Sequence, residues 1–438
     1  MSAATIDVSE LRIGMFVHLD LGWMSHPFPL SSFRISDTEQ ISTIRQLGLS
    51  RVRWSPERSD IAGDAAVPAE RPPDPAVPAP DATAADTPEL AQRRLRRAAL
   101  ARQREAMQLC ERQYAEAGKA WRQATAMVQT DPQGARERSE AFAQALVDKM
   151  LGNRELCIRL LTESAGDRAT AHSLNVSVIA LLMGKLFGLS EVDMRDLGLG
   201  SLLHDIGKVE LPSRVRYAEE HFTMAETQLY REHVSHGVTL GRKMGLSAGA
   251  LLVIAQHHEQ ADGSGFPQRL NVDRMTTAAR IVSLVNRYDN LCNPVSPAKA
   301  LTPHEALSLM FAQGKHKFDV TMLNAFIRMM GIYPPGSIVQ LTDERYAIVV
   351  SVNSSRPLKP RVLVHDEAVP RDEAMQVNLE AEPALGIRRS LKASQLPPAA
   401  LDYLSPRQRI TYYFEPVPPS EQEFPEPADG AIDEGRTE

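Results

Sequence analysis

Hydrophobic residues recur at helical spacing from residue 168 to about residue 331. Apolar runs such as SLNVSVIALLMGKLFG and SAGALLVIAQHHE alternate there with short polar breaks. The pattern predicts an all-α domain, which the breaker Tyr333-Pro334-Pro335-Gly336 ends. Upstream and at the start of this region, helices are predicted at about 135–150, 153–164 and 168–187.

The first 55 residues show a mixed pattern. Apolar and polar positions alternate around Gly14, as in short strands, and SRVRW returns the same signal near residue 52. Between these runs, Ser36-Asp37-Thr38-Glu39 is a helix-start signal before QISTIRQLG. The segment therefore predicts a small α+β unit. We interpret its histidines as packing and turn residues rather than as a second ligand site.

Two segments of biased composition follow. Residues 61–88 consist mostly of Ala, Pro and Asp with almost no large apolar residue, which predicts a disordered linker. Residues 89–128 are rich in Ala, Arg, Glu, Gln and Leu and contain no Pro, which predicts one long charged helix. Its heptad pattern is weak, so pairing of this helix into a homodimer is one option beside a single helix.

After Gly336 the pattern changes to short β-type runs such as YAIVVSVN and RITYYF, and the end of the chain is acidic and rich in Pro. The predicted fold class is mainly α: a helical bundle core, a small N-terminal α+β unit and a small C-terminal β-rich appendage. The predicted parts are 1–60, a small regulatory domain; 61–88, a linker; 89–145, a long helix and connector; 146–335, the helical domain; 336–415, the β-rich domain; and 416–438, a disordered tail.

Composition and charge limit the classes of partner and the cellular location that the sequence predicts. A net charge of −6 and a pI near 6.1 argue against a nucleic-acid polymer as partner. The three cysteines, Cys110, Cys157 and Cys292, form no CxxC pair, which is typical of a cytoplasmic protein. The N-terminus does not resemble a secretory signal, and the apolar runs are shorter than a membrane span.

Seven of the twelve histidines lie between residues 172 and 258. In SLLHDIGK, His204 and Asp205 interrupt an apolar run, and burying such a pair is costly unless a partner compensates it. Further imidazoles on the apolar face or at the end of a helix are His172, His233, His257 and His258. Inward-facing histidines with a carboxylate on successive helices predict a buried metal site. The alternative, a set of structural histidines, is disfavoured by the clustering.

Six such groups exceed the four ligands of one tetrahedral ion, and the two oxygens of Asp205 can bridge two ions. Two divalent ions suit hydrolysis of a phosphoester, because they activate water at neutral pH and stabilise charge on the phosphoryl oxygens. Lys208, one turn after His204, is placed to meet that phosphate as a point charge. On residue types alone, the interpretation is a metal-dependent hydrolase.

The central region resembles the HD-GYP domain, a bacterial branch of the HD phosphohydrolases that is similar to phosphodiesterases of cyclic di-GMP. The motifs that carry this resemblance are HSLNV (172–176), HDIGK (204–208), the His233-to-Gly237 spacing and HHEQADGSGFP (257–267). They lie within residues 145–335, and LRIGMFVHLDLGWMSHPF is similar to the small N-terminal domain of one HD-GYP subfamily. The resemblance implies an HD-type helical bundle in bacterial second-messenger signalling.

The resemblance also implies the site. Two divalent ions per chain, iron or manganese, would be held by His172, His204, Asp205, His233, His257, His258 and, at the last ligand position, Asn286. Asp205 and Lys208 would be catalytic, with Lys208 at the scissile phosphate of cyclic di-GMP and linear pGpG or GMP as product. The loop formed by Asp262, Gly263, Gly265, Phe266 and Pro267 would close over the site and contact diguanylate cyclase domain proteins.

The chain departs from the family pattern at several positions. Asn286 stands where the family has an aspartate, so the second ion should be held more weakly. Arg168 stands where members with a third metal have a glutamate, which makes a third ion unexpected. The family's phosphate-binding Arg and Lys are missing from LCNPVSPAKA, where only Lys299 is near. Phe266 replaces the tyrosine of the GYP triplet and keeps its ring.

These departures leave alternatives open. The chain could be a catalytically weak or inactive receptor or adaptor for a cyclic dinucleotide or a partner protein, or it could hydrolyse another cyclic dinucleotide or another phosphoester. Asp289 would either bond within its own helix or take over part of the lost aspartate's role. Glu259 would orient a ligand histidine, and Arg280 would either pair with a carboxylate or bind substrate.

Overall fold

A small antiparallel sheet forms the N-terminal unit. Its strands are β1 (Ala4–Asp7), β2 (Phe16–His18), β3 (Ser32–Arg34) and β4 (Arg51–Trp54), in the order β1-β4-β2-β3. Helix α1 (Thr38–Gln46) begins at Asp37, whose side chain accepts a hydrogen bond from the backbone N–H of Gln40. Val17, Ile35 and Ile44 are buried between helix and sheet. The computed structural model describes residues 4–19, 21, 32–60, 88–152, 155–161, 167–217, 221–407 and 409–417.

Two long helices lead into the bundle. Helix α2 (Pro88–Ala126) is mostly exposed over residues 92–106, and one face of its later part is buried, where Tyr114 and Trp121 pack against the core. Helix α3 (Pro132–Leu151) follows after a turn capped by Asp131. The predicted long charged helix is therefore present. The predicted linker, apart from Pro88, and the predicted tail beyond Val417 lie outside the described residues.

The bundle itself surrounds helix α4, which is buried on nearly every face. This arrangement follows from its sequence, because a helix that is apolar all round must lie inside a protein or a membrane. The helices are α4 (Arg168–Leu186), α5 (Glu191–Leu203), α6 (Met224–Arg231), α7 (His233–Met244), α8 (Ala248–Gln256), α9 (Thr277–Cys292), α10 (Pro303–Gln313) and α11 (Val320–Met330). Within the described part of the chain, α4 alone is long and apolar enough to cross a membrane, and 72% of that stretch is buried inside the protein.

A second antiparallel sheet packs against the bundle. Its strands are β5 (Leu156–Leu160), β6 (Ile338–Leu341), β7 (Tyr346–Asn353), β8 (Arg361–Val364), β9 (Gln376–Asn378), β10 (Ile387–Leu391) and β11 (Tyr412–Pro416), with helix α12 (Pro398–Leu404) before the last strand. The main path is β10-β6-β7-β5-β11, while β8 pairs with β7 and β9 with β8. The predicted fold class, mainly α with small β-rich parts at both ends, is confirmed.

The predicted helix at 153–164 is wrong. Residues 156–160 form β5, which pairs with β7 and β11 from the other end of the chain. All five residues of β5 are buried, so the segment lacks the alternation that marks a strand with one exposed face. The C-terminal sheet consequently takes in a strand from before the helical bundle, across the predicted boundary at residue 335.

Candidate metal centre

The ends of four helices bring the candidate ligands together. His172 lies in the first turns of α4, His204 caps the end of α5 and His233 opens α7. His257 and His258 follow the last residue of α8. Helix ends suit this task, because a side chain there can approach the neighbouring helices from several directions while its backbone stays fixed by the bundle.

Asp205 stands at the centre of these imidazoles. Its Oδ2 lies 3.5 Å from Nε2 of His204 and 3.7 Å from Nε2 of His172. Its Oδ1 lies 3.5 Å from Nε2 of His233 and 3.7 Å from Nε2 of His257. The ligand atoms form two groups that share this carboxylate: His172, His204 and Asp205, and Asp205, His233, His257 and His258. The structure thus brings together the six residues that the sequence singled out.

The hydrogen bonds of the histidines define their tautomers. Nδ1 of His204 lies 2.7 Å from the carbonyl oxygen of Ser201, and Nδ1 of His257 lies 2.8 Å from that of Ile254. His233 makes the same contact, at 2.6 Å, with the carbonyl of Tyr230. A carbonyl oxygen only accepts, so each Nδ1 carries the proton and donates it. Each neutral ring therefore presents the bare lone pair of Nε2 to the centre of the site.

These lone pairs face one another. Nε2 of His172 lies 3.1 Å from Nε2 of His204, and Nε2 of His233 lies 3.3 Å from Nε2 of His257. Two bare nitrogens repel at this distance unless a proton or a cation lies between them. Nitrogens that bind one tetrahedral ion at about 2.1 Å lie roughly 3.4 Å apart, so the spacing fits a shared metal ion.

Protons are poor candidates for that role. Burial lowers the pKa of His204 to about 4 and keeps the pKa of His257 and His258 well below its usual value. Burial alone would raise the pKa of Asp205, but Lys208 and the imidazoles lower it well below the usual range. Among the described residues, Oδ1 of Asp205 and Nε2 of His258 are buried with no hydrogen-bond partner. A neutral imidazole set around an ionised carboxylate fits divalent transition-metal ions.

Asp289, which the sequence left outside the ligand set, orients one of the ligands. Its Oδ2 lies 2.6 Å from Nδ1 of His172. A carboxylate that accepts this proton fixes the tautomer and the ring plane and makes Nε2 a stronger ligand. Asp289 also accepts a bond within its own helical segment, from Asn293, as one of the predictions stated. The contact with His172 joins residues 117 positions apart, for which the sequence carries no signal.

Asn286 is buried at the wall of the cavity that also contains His257 and His258. Its Oδ1 accepts a hydrogen bond of 2.7 Å from Nδ2 of Asn290. The amide oxygen that the resemblance assigns to the second ion thus already has a donor. Its role as a ligand stays a prediction.

Lys208 lies between the metal centre and two adjoining cavities. Its Nζ donates to Oδ2 of Asp205 at 2.5 Å. Cavities of about 460 Å³ and 500 Å³ share Arg168, Lys208, Tyr217 and Asn290 in their walls. A substrate in this groove would therefore meet the ammonium group beside the candidate ligands.

Arg168 reaches the same groove from the first turn of α4. Its guanidinium lies 4.9 Å from the centre of the Tyr217 ring, and Nη2 donates to the carbonyl of Asn293. Nη1 is buried and, within the described ranges, has no hydrogen-bond partner. The residue that replaces a third-metal glutamate thus places a positive charge at the groove.

The loop after the two histidines packs against His258. The ring of Phe266 stacks on His258 with a centroid distance of 4.4 Å. Gly265 has no room for a side chain, because its Cβ would come within 2.5 Å of the His258 carbonyl oxygen.

Asp262 holds the tip of this loop by accepting hydrogen bonds from Ser264. Gly263 has a φ of +76°, which favours glycine, and Pro267 is exposed.

The HDIGK turn approaches α7 equally closely. A Cβ on Gly207 would lie 1.9 Å from the carbonyl oxygen of His233 and 2.3 Å from the amide nitrogen of Gly237. Only glycine permits this approach, which brings Asp205 and His233 within reach of one another. Close packing of the HDIGK turn against α7 thus explains the glycine in that motif and the one four residues after His233.

The structure gives contacts for two further side chains, Glu259 and Arg280, and the pairing of Arg280 is one of its two predicted roles. Glu259 is fully buried, and its carboxylate accepts hydrogen bonds from the backbone N–H groups of Gln268 and Leu270, which holds the loop. Within the described residues it makes no hydrogen bond to a histidine, contrary to its predicted role. Arg280 pairs with a carboxylate, that of Asp319, at 2.9 Å.

Comparisons with known proteins identify two domains in the chain. Residues 155–322 match the family described as HD domain, and residues 4–138 match a domain of unknown function, DUF3391. The cyclic di-GMP phosphodiesterase PA4108 of Pseudomonas aeruginosa is 28% identical over 375 residues, which cover 82% of this chain and 84% of that protein.

A second relative, the cyclic di-GMP phosphodiesterase PdeB of Borreliella burgdorferi, is 22% identical over 51% of this chain and 60% of its own length. Among solved structures, Bd1817, a HDG"Y"P protein from Bdellovibrio bacteriovorus, aligns over 74% of this chain and 98% of its own with 14% identity and a TM-score of 0.39. The chain therefore has a DUF3391 domain in front of an HD domain and is similar to cyclic di-GMP phosphodiesterases of the HD-GYP-like kind.

Proposed function

We propose that this protein is a metal-dependent phosphodiesterase that hydrolyses cyclic di-GMP to linear pGpG, to GMP, or to both. The observation that carries the proposal is the pair of histidine groups that share Asp205 beside Lys208 and an open groove. The relatives PA4108 and PdeB, both named as cyclic di-GMP phosphodiesterases, support the substrate.

The centre would hold two divalent ions, iron or manganese. His172 and His204 would bind one, His233, His257 and His258 the other, and Asp205 would bind both. The ions would supply an activated water and positive charge at the phosphoryl oxygens. Asn286 would be an additional ligand once its oxygen is released from Asn290.

The protein's own groups would position the phosphodiester. Lys208 would move its ammonium group from Asp205 to a non-bridging phosphate oxygen, a step for which it is already within reach of the site. Burial alone would lower the pKa of Lys208, but Asp205 raises it overall, so the ammonium group stays charged at neutral pH. Hydrolysis adds the oxygen of water to phosphorus and breaks the bond to the 3′ oxygen, which leaves with a proton as a hydroxyl group.

Arg168 would replace the missing phosphate-binding residues of the family. Its unpartnered Nη1 faces a buried environment, where a phosphate oxygen would be a strong acceptor. The rings of Tyr217 and Tyr230 line the same groove and would contact a base. Each cavity has a volume within the range of about 300–1,000 Å³ that small-ligand sites have.

Partners and location belong to the same proposal. The exposed residues around Pro267 would contact a diguanylate cyclase domain, and the exposed first half of α2 would pair with a second copy. The three cysteines form no CxxC pair in the sequence, which supports a cytoplasmic location.

A second function, a receptor or adaptor with little turnover, is favoured by one observation. The oxygen of Asn286 is occupied by Asn290, and an amide is neutral where the family has a carboxylate. A site that holds one ion firmly and the other weakly would bind a cyclic dinucleotide without cleaving it fast.

One assay separates the two functions. Purified full-length protein, loaded anaerobically with ferrous or manganous ions, is incubated with cyclic di-GMP, and the products are separated by chromatography. We expect pGpG or GMP from the wild type and neither from Asp205→Asn, which loses the charge shared by both groups. Binding of cyclic di-GMP without product would establish the receptor; absence of both binding and product would refute both proposals.

A further inference from the structure

The C-terminal strand reaches the rear of the metal centre through two asparagines, Asn175 on α4 and Asn293 at the end of α9. Nδ2 of each donates to the carbonyl oxygen of Ile410 at 2.9 Å. The oxygen of Asn175 accepts from the backbone N–H of Tyr412 at 2.9 Å, and that of Asn293 accepts from the N–H of Ile410 at 2.8 Å. Both amides are therefore held by the backbone that leads into β11.

The same two amides hold Asp289. Nδ2 of Asn175 lies 2.7 Å and Nδ2 of Asn293 lies 2.9 Å from Oδ1 of this carboxylate. Each NH₂ group thus divides its two protons between Asp289 and Ile410. The other oxygen of Asp289 bonds to His172. We call this set of Asn175, Asn293 and the backbone of residues 410–412 the asparagine clamp.

Because the clamp is buried, its side chains can adopt only one arrangement without losing hydrogen bonds. Asn175 and Asp289 are almost wholly inaccessible to solvent, so neither can exchange a lost partner for water. A buried carboxylate is stable only when donors surround it, and here two amides and one imidazole supply them. Rotating either asparagine would place a donor against a donor, which fixes the carboxylate that in turn fixes the His172 ring.

We propose that the C-terminal strand is a positioning element of the metal centre, although it lies well beyond the segment that matches the HD domain, residues 155–322. The inference rests on the proposed metal centre. The clamp should affect only one of the two ions. In the described residues Asp289 contacts His172 and none of the imidazoles of the other ligand group. Loosening the clamp should weaken one ion and spare the other.

Metal binding tests this inference directly. Metal-free full-length protein is titrated with Mn²⁺, and free Mn²⁺ is measured by electron paramagnetic resonance. We expect two sites in the wild type. In Asn293→Ala and in Asp289→Asn, one site should weaken by about 10- to 100-fold while the other keeps its affinity.

The matched control is Tyr412→Phe. It removes the hydrogen bonds that the Tyr412 hydroxyl forms with Tyr288 and Pro335 and leaves the backbone bonds of the clamp in place. This variant should lose thermal stability yet bind two ions with wild-type affinity. An equal loss of one ion in the control would refute the inference, since general loosening of the strand would then explain the effect.

Other outcomes are equally decisive. If Asp289→Asn does not fold, Asn293→Ala still provides the test, because Asn293 is only half-buried. Wild-type affinity at both sites in folded Asn293→Ala would overturn the clamp while leaving the metal centre intact. Failure of the wild type to bind any Mn²⁺ or Fe²⁺ would overturn the metal centre itself, and the clamp with it.

Discussion

At the scale of single residues, Asn286 is the departure from the family pattern with the clearest expected effect, because it places a neutral amide where the family has a charged carboxylate. Asn286→Asp restores a carboxylate, which binds divalent ions more strongly than an amide and accepts from Asn290 with its second oxygen. We expect tighter binding of the weaker ion and, for the phosphodiesterase, a higher kcat by roughly tenfold or more. Mn²⁺ titration and product formation measure both. Unchanged metal affinity would show that residue 286 is not a ligand.

Arg168 supplies a second residue-scale prediction. If its guanidinium binds a phosphate oxygen, Arg168→Ala should raise the KM for cyclic di-GMP by about 10- to 100-fold, in line with a charge-assisted hydrogen bond of about 1.5–3 kcal/mol. Metal content should not change, because Arg168 lies outside both ligand groups. Arg195→Ala, at an exposed arginine paired with Glu191, is the matched control. A similar KM in both variants would contradict the role.

The sequence revealed the ligands more readily than the residues that orient them. His204 and Asp205 were recognisable because a polar pair in an apolar helix demands an explanation. Asp289 and Asn175 look like ordinary helix residues, since their partners lie on other elements. Contacts between residues more than a hundred positions apart, such as Asn175 with Tyr412, leave no periodic signal in one sequence.

At the scale of elements, α3 carries an ionisable group inside the core. Lys149 is 1% exposed, and burial lowers its pKa to about 8. In the unfolded chain the amine keeps its proton to about pH 10.4. Between these pH values the unfolded state binds more protons than the folded state, so the free energy of unfolding rises with pH. Below pH 8 the amine is protonated in both states, and the full cost of burying its charge lowers stability.

Lys149→Met should therefore stabilise the protein most at pH 7. Its advantage in the free energy of unfolding over the wild type should shrink by about 3 kcal/mol as pH rises to 10.5. Urea unfolding at several pH values measures this, with the exposed Lys119→Met on α2 as control. A difference between Lys149→Met and wild type that does not vary with pH would disprove the shifted pKa.

Elements with clear periodicity were predictable and one without it was not. Helix α4 follows from its apolar composition, and the observed bounds, 168–186, differ from the prediction by one residue. For strand β5 the sequence predicts a helix, because a short apolar run without alternation fits either structure, and all five of its residues are buried. What decides its structure is pairing with β7 and β11, which is tertiary.

At the scale of the whole molecule, the proposed asparagine clamp makes the C-terminal sheet a support of the candidate metal centre. A chain that ends at residue 409 loses β11, exposes the edge of β5 and removes the clamp backbone. We expect it to unfold at a lower temperature and to bind one ion more weakly than a chain that ends at residue 417, which retains β11. Equal melting temperature and metal affinity in the two chains would contradict this view of the sheet.

The pairing of β5 with β11 also imposes an order on biosynthesis. Arg159 of β5 and Glu415 of β11, which form an ion pair, are 256 positions apart. At about 5–20 residues per second, β5 leaves the ribosome roughly 10–50 s before its partner strand exists. Until then Asp289 lacks the strand that holds its asparagines, so by the inference above the nascent protein should bind the ion of the His172 group more weakly. We therefore expect tight metal loading to follow synthesis of the C-terminal strand, and prematurely terminated products to bind that ion less firmly than the finished chain.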